Sequence, residues 1–198
     1  MNYRERITSP VGSAVWPKLN KPETKFDPDG VYEVKLRLNG GKAKPFIEQL
    51  TKHFNEYKSS LENKKMKIAP MPWREVEDDD GSPSGDFDFK FKLKAIGGSR
   101  GNQFEQRPVL LDSSGSPMSE QIGAGSQIQI GAEVVGYNSP AVGVGITLRI
   151  KAVMVHSLEE YSGSVGNWEF DEGGTFKTES SDSVEDSQEV SQEDAFGF

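Results

Sequence analysis

The sequence predicts a mainly β protein: a Greek-key barrel of five to six strands, with one inserted α-helix and a disordered acidic C-terminal tail. Three observations carry this. From Phe87 to Lys94 (FDFKFKLK) apolar and polar residues alternate strictly, so Phe87, Phe89, Phe91 and Leu93 face one way and Asp88, Lys90, Lys92 and Lys94 the other. A period of two is a strand with one buried face. Similar runs recur as far as Val155, separated by Gly, Pro and Asn turns, and a single stretch has the spacing of a helix. From about Ser162 the pattern stops, and Ser, Glu, Asp and Gly dominate.

Ile7–Trp16 (ITSPVGSAVW), broken by Pro10 and Gly12, reads as an irregular first strand. A turn-rich link follows, punctuated by Pro22, Pro28 and Asp29-Gly30, with Lys18, Lys21 and Lys25 on an exposed loop. Val31–Leu38 (VYEVKLRL) alternates cleanly, so Tyr32, Val34, Leu36 and Leu38 share one face. Lys42–Asn63 is the helix. Pro45 suits its first turn, and Phe46, Leu50, Phe54, Tyr57 and Leu61 form one apolar stripe, which is core packing.

Asn63–Ile68 (NKKMKI) is a basic patch leading to the Pro-rich Ala69–Trp73, and VEDDDGSPSGD reads as an acidic loop. It delivers the chain to the central strand. SRGNQFEQ reads as a long hairpin loop and Pro108–Asp112 as a short return strand. Gln127–Val135 and Val142–Val155 are the last two strands, joined by a hairpin at Tyr137-Asn138-Ser139-Pro140. In the last strand Ile146, Leu148, Ile150, Ala152 and Met154 are expected on one face, and Thr147, Arg149, Lys151 and Val153 on the other. Gly143 and Gly145 permit the bend that barrel closure needs. Five or six strands with one inserted helix suit a small barrel, of which the five-stranded OB-fold is the common nucleic-acid-binding kind.

Composition narrows the function. With no cysteine there is no disulfide framework, thiolate metal site or thiol nucleophile. No apolar run approaches the length of a membrane span, and the first ten residues show no apolar core of a signal peptide. The net charge of −8 hides an asymmetry. Residues 1–158 hold 22 Lys and Arg against 19 acids, a net +3; residues 159–198 hold Lys177 against 12 acids, a net −11. A basic body with an acidic tail is a different object from a uniformly acidic protein. Residues 1–161 therefore read as one domain and 162–198 as a disordered tail, unable to bury enough apolar area to offset its ordering entropy. Its last residues, with Glu193 and Asp194 before Phe196 and Phe198, carry the tail's terminal apolar anchors.

Catalytic signatures are not found. His53 and His156 lack the spacing of a zinc site. Setting Gly81 at the sixth position of a calcium loop puts Val76 and Phe87 where ligands belong, so Asp78-Asp79-Asp80 is a solvated loop. Neither GAGS (Gly123–Ser126) nor VGVG (Val142–Gly145) belongs to a phosphate-loop motif, and no cofactor is implied. What remains is cations interleaved with aromatics on strands: Lys90, Lys92 and Lys94; Arg149 and Lys151; and Tyr137 at a hairpin tip. Cations track phosphates and aromatic faces stack on bases with little sequence preference, which is the chemistry single-stranded nucleic acid requires. The rival readings are an acidic-tailed structural or scaffold β-domain with an incidental basic face, and a small hydrolase with a carboxylate site.

Several stretches resemble, in order, the single-stranded DNA-binding proteins of short-tailed, podovirus-type bacteriophages: TSPVGSA (Thr8–Ala14), Gly30-Val31-Tyr32, FKFK (Phe89–Lys92), GAGS, AVGVGITLRIKAVMV (Ala141–Val155), and the acidic tail ending in phenylalanine. The resemblance implies an OB-fold with an inserted helix, a homodimer that binds single-stranded DNA in the cytoplasm of the infected host, and roles in DNA replication, recombination and repair. It implies that the tail, through Glu193, Asp194, Phe196 and Phe198, docks on the phage DNA polymerase and primase-helicase. It ties Lys92 and Tyr137 to DNA binding, with a basic loop after the helix at Lys64, Lys65 and Lys67. The arginine it expects before Gly30 is Asp29 here, which leaves that contact to Lys25 or another residue.

Overall fold

A computed structural model of the protein describes residues 3–62, 66–99 and 101–160. Among the described residues, ten strands and one helix follow in order: β1 (Arg4–Thr8), β2 (Gly12–Glu23), β3 (Val31–Asn39), α1 (Gly40–Ser59), β4 (Trp73–Glu77), β5 (Pro83–Lys94), β6 (Ile96–Ser99), β7 (Asn102–Glu105), β8 (Val109–Leu111), β9 (Gln127–Ser139) and β10 (Gly143–Ser157). Five of them close a ring: β2 pairs β3, β3 pairs β5, β5 pairs β10, β10 pairs β9, and β9 returns to β2. The β5–β10 seam is parallel; the other four pairings are antiparallel. This is the five-stranded OB-fold barrel, with α1 inserted between its second and third strands.

Alternation builds the core. Val34, Leu36 and Leu38 of β3, Phe89, Phe91 and Leu93 of β5, Ile128, Ile130 and Val134 of β9, and Ile146, Leu148 and Ile150 of β10 are buried inside the ring. The helix covers one mouth of the barrel. Asn39 caps it, its side-chain oxygen accepting from the Lys42 N–H at 3.1 Å. Phe46, Leu50, Phe54 and Tyr57 are buried as the stripe predicts, and the Phe46 and Phe89 rings lie 5.1 Å apart. Tyr57 packs over Gly136, where a Cβ would come within 2.6 Å of its ring, so the helix can approach β9 only because that residue has no side chain.

Several boundaries differ from expectation. The helix starts two residues early, at Gly40, so Pro45 falls in its second turn. The first strand is two: β1 and β2 are separated at Ser9–Val11, and β2 continues through Pro17 and Pro22 to Glu23. The expected acidic loop is a hairpin in which β4 pairs β5 around Asp78–Ser82, closed by the Asp78 N–H to Ser82 carbonyl bond at 2.8 Å. SRGNQFEQ supplies much of the β6–β7 ribbon. In β10 the face assignment fails beyond Ile150. The register jumps from Ile150↔Ala132 to Ala152↔Gly131, a bulge at Lys151. One extra residue reverses the alternation, so Val153 and Val155 are buried whereas Ala152 and Met154 are not.

Candidate nucleic-acid interface

The outer surface of the barrel is where the charged residues of its strands meet. Register places Glu133 beside Arg149, Arg149 beside Lys92, Lys92 beside Glu33, and Glu33 beside Lys18, so one row crosses β9, β10, β5, β3 and β2. The neighbouring row sets Lys35 directly opposite Lys90. These two rows join cations that lie far apart in sequence. Glu33 is shared by two of them, its Oε2 lying 3.6 Å from Lys90 Nζ and 3.8 Å from Lys92 Nζ. Lys94 Nζ is 3.5 Å from Asp27, and Lys151 Nζ is 3.3 Å from Glu133. Among the described residues, Lys35 and Arg149 have no carboxylate within ion-pair distance. Burial, and next the Lys90 ammonium, hold Lys92 below the usual lysine value. Both pressures disfavour its charge in the free protein, and a phosphate lying against it would oppose them by favouring the charged form.

Asp88 does not belong to the solvated face, although its position in the alternation puts it there. It is buried, and Arg37 grips it with Nε at 2.8 Å and Nη2 at 3.2 Å. That bidentate pair bounds the basic face on the side where β4 covers β5.

Tyr137 lies within the β9 ladder opposite Gly145, not at a hairpin tip; the turn is Pro140–Val142. The reason is local: β9 stays paired to Ser139, and the Tyr137 ring lies over Gly145, where a Cβ would come within 2.5 Å of its hydroxyl. Gly145 thus serves as the bed for the ring. Gly145 and Arg149 are four residues apart on β10, roughly 13 Å at a strand rise of about 3.3 Å. Lys67 arrives from outside the barrel. Its carbonyl accepts the Val144 N–H at 2.9 Å, and Ile68 bridges Val144, so this exposed lysine is anchored beside Tyr137. Lys90, Lys92, Lys94 and Arg149 are thereby brought onto one face, with Tyr137 and Lys67 at its end and Lys151 on the bulge. Lys64, Lys65, Glu193, Asp194, Phe196 and Phe198 lie outside the described residues.

Sequence reading missed two aromatic residues. Trp16 is 74% exposed and Phe26 is 86% exposed, the two largest exposures among the large apolar side chains described. Trp16 sits on β2 between Val15, which pairs Lys35, and Lys18, which pairs Glu33. Phe26 lies in the β2–β3 loop with Lys25 Nζ 5.6 Å from its ring centre, and its neighbour Asp27 holds Lys94. A signal for Trp16 exists. Ala14 and Leu19 are both buried but five residues apart, an odd spacing that a regular strand cannot produce.

The sequence matches no protein-family model and no curated protein. Solved structures do match. The crystal structure of gp2.5, a single-stranded DNA-binding protein encoded by bacteriophage T7, superposes with a TM-score of 0.67 at 26% identity, over 88% of this chain and 100% of that one. This chain has the fold of the phage single-stranded DNA-binding proteins. The single-stranded DNA-binding protein of bacteriophage Enc34 in complex with single-stranded DNA gives a TM-score of 0.60 at 15% identity, covering 80% of this chain and 89% of that one. Its C-terminally truncated form gives 0.59 at 13% identity, over 78% and 87%. At that identity the Enc34 likeness is one of fold. OB-folds characteristically bind oligonucleotides on their second and third strands and on the loops after the first and fourth. The corresponding parts here are β3, β5, the segment 24–30 and the turn 140–142, which border the basic rows and Tyr137.

Proposed function

We propose that this protein binds single-stranded DNA independently of sequence, by laying phosphates along the Lys35, Lys90, Lys92 and Arg149 face and stacking a base on Tyr137. The carrying observation is the two adjoining rows of cations on the outer barrel face, ending at a half-buried tyrosine. Cations with a stacking ring suit an unpaired strand, whose bases are free to reach the ring. The role is non-catalytic: covering single strands during phage DNA replication, recombination and repair in the host cytoplasm, as a homodimer. Lys67, with Lys64 and Lys65, extends the basic surface, Lys25 takes the place of the arginine expected near Asp29, and Lys94 and Lys151 lie at the margins. The tail, residues 162–198, recruits the phage polymerase and primase-helicase through Glu193, Asp194, Phe196 and Phe198. Its support is the charge contrast with the body and the two terminal rings.

The test is competition. Labelled oligothymidylate is titrated with the full chain, then challenged with unlabelled mixed-sequence single strands and with duplex. Single strands should compete regardless of sequence and duplex poorly. Equal competition by duplex overturns the proposal.

A further inference from the structure

Trp16 combines three properties that ordinary packing does not explain. Its side chain is exposed although it is large and apolar. Its backbone φ is +51°, and among the described residues no other non-glycine has a positive φ. It precedes Pro17, a position already confined by the proline ring. A bulky L-residue with positive φ is a genuine outlier, and such strain persists only where its surroundings impose it. Here the imposing elements are the ladders on either side: Ala14 and Val15 pair Leu36 and Lys35, and Lys18 pairs Glu33, leaving Trp16 and Pro17 as the bulge between them. The bulge turns the ring outward beside the cation rows.

We propose that Trp16 is a second base-stacking platform, at the opposite border of the basic face from Tyr137, so that a single strand crosses the barrel from β9 to β2. This rests on the functional reading above. Counted along the row through β10, β5 and β3, the two strands are four steps of about 4.8 Å apart, roughly 19 Å around the barrel; their direct pairing, Gly12 with Ile128 and Ser13 with Gln127, lies at the far end of β9 from Tyr137. Between the rings lie Arg149, Lys92, Lys90 and Lys35, the cations that would carry the intervening phosphates. Phe26, one residue from the Asp27–Lys94 pair, extends the same border. A short oligonucleotide engages one ring; a longer one engages both.

The experiment uses the full chain carrying Trp73→Phe and Trp168→Phe, which leaves Trp16 as its sole tryptophan, and oligothymidylates of about 4, 8 and 16 nucleotides. Trp16 emission should be quenched in step with binding. In the native background, Trp16→Ala should bind the longest oligomer about 5- to 150-fold more weakly, the equivalent of one base–aromatic stack. The shortest oligomer should be affected least, Trp16→Phe should retain most of the affinity, and the salt dependence should be unchanged in both. Wild-type binding with an unquenched Trp16 and an unimpaired Trp16→Ala variant overturns the Trp16 assignment alone. A wild-type chain that binds no oligomer overturns the functional reading, and this inference with it.

Discussion

Lys92 is the central cation of the proposed face, flanked by Lys90 along its strand, Arg149 on one side and Glu33 on the other. Lys92→Met keeps the apolar stem and removes the charge. If Lys35, Lys90, Lys92 and Arg149 each engage one phosphate, log affinity falls against log salt with a slope of about −2.8, at about −0.7 per phosphate for single strands. A fourfold rise from about 50 to 200 mM salt then weakens wild-type binding roughly 50-fold. The variant, with a slope of about −2.1, weakens roughly 18-fold, so its deficit shrinks about 2.6-fold over that range. Fluorescence anisotropy at four salt concentrations measures this directly. The fold itself should not suffer. Lys92 is held below its ordinary value by burial and by Lys90, so the native state binds fewer protons at this site than the unfolded chain. Stability from this group therefore rises as pH climbs from the lowered native value to the ordinary one, and below that window its charge is a net cost that methionine removes. DNA affinity has the opposite trend, falling as pH rises through the lowered value. An unchanged salt slope in Lys92→Met, and again in the Lys35/Lys90/Lys92 triple methionine variant, refutes the phosphate-tracking role of this face.

Other outcomes follow from the same geometry. Tyr137→Ala should weaken single-strand binding by about 1–3 kcal/mol with an unchanged salt slope, since stacking releases no counterions, and Tyr137→Phe should keep most of the affinity in the same anisotropy assay. Glu33 holds Lys90 and Lys92 in two exposed ion pairs; at about 0.2–1 kcal/mol each, Glu33→Gln should tighten binding by roughly 2- to 30-fold at low salt. Truncation after Tyr161 should also raise affinity at low salt, where the removed arm, of net charge −9, competes best with phosphates, and should abolish capture of the phage polymerase on beads. An unaltered DNA affinity would refute that competition, and normal polymerase capture would refute the docking role.

The sequence reveals what alternation can encode. The run Phe87–Lys94 betrays both a core face and a lysine face because β5 is half-buried along that length. The helix stripe is equally plain, since all four rings and leucines from Phe46 to Tyr57 turn inward. Bulges hide the rest. At Lys151 one inserted residue transfers Val153 and Val155 to the core, and a period-two reading has no means to register it. At Trp16-Pro17 the same kind of break conceals an exposed ring inside what reads as a strand leading into a turn-rich link. The Arg149–Lys92 contact was illegible for another reason: it depends on the register of two strands more than fifty residues apart. Asp88 shows the converse, a polar position in the pattern whose burial is possible only because Arg37 stands opposite it on β3.

The parallel seam between β5 and β10 is short, with two residue pairs in register, Leu148↔Phe91 and Arg149↔Lys92. It joins the third strand of the barrel to the last, so it cannot form until nearly the whole domain has been synthesised. A ribosome-bound chain already displays Lys35, Lys90 and Lys92, but not the row that includes Arg149. Closing contacts of such long sequence separation are the slow kind. Under the proposed function, a polyanion lying across Lys92 and Arg149 would splint this last closure and slow its reopening, since a ligand that binds only the closed form stabilises it by mass action. Bound nucleic acid would then act as a fastener for its own receptor. Hydrogen exchange should be slowed first at the amides of Phe91, Lys92, Leu148 and Arg149.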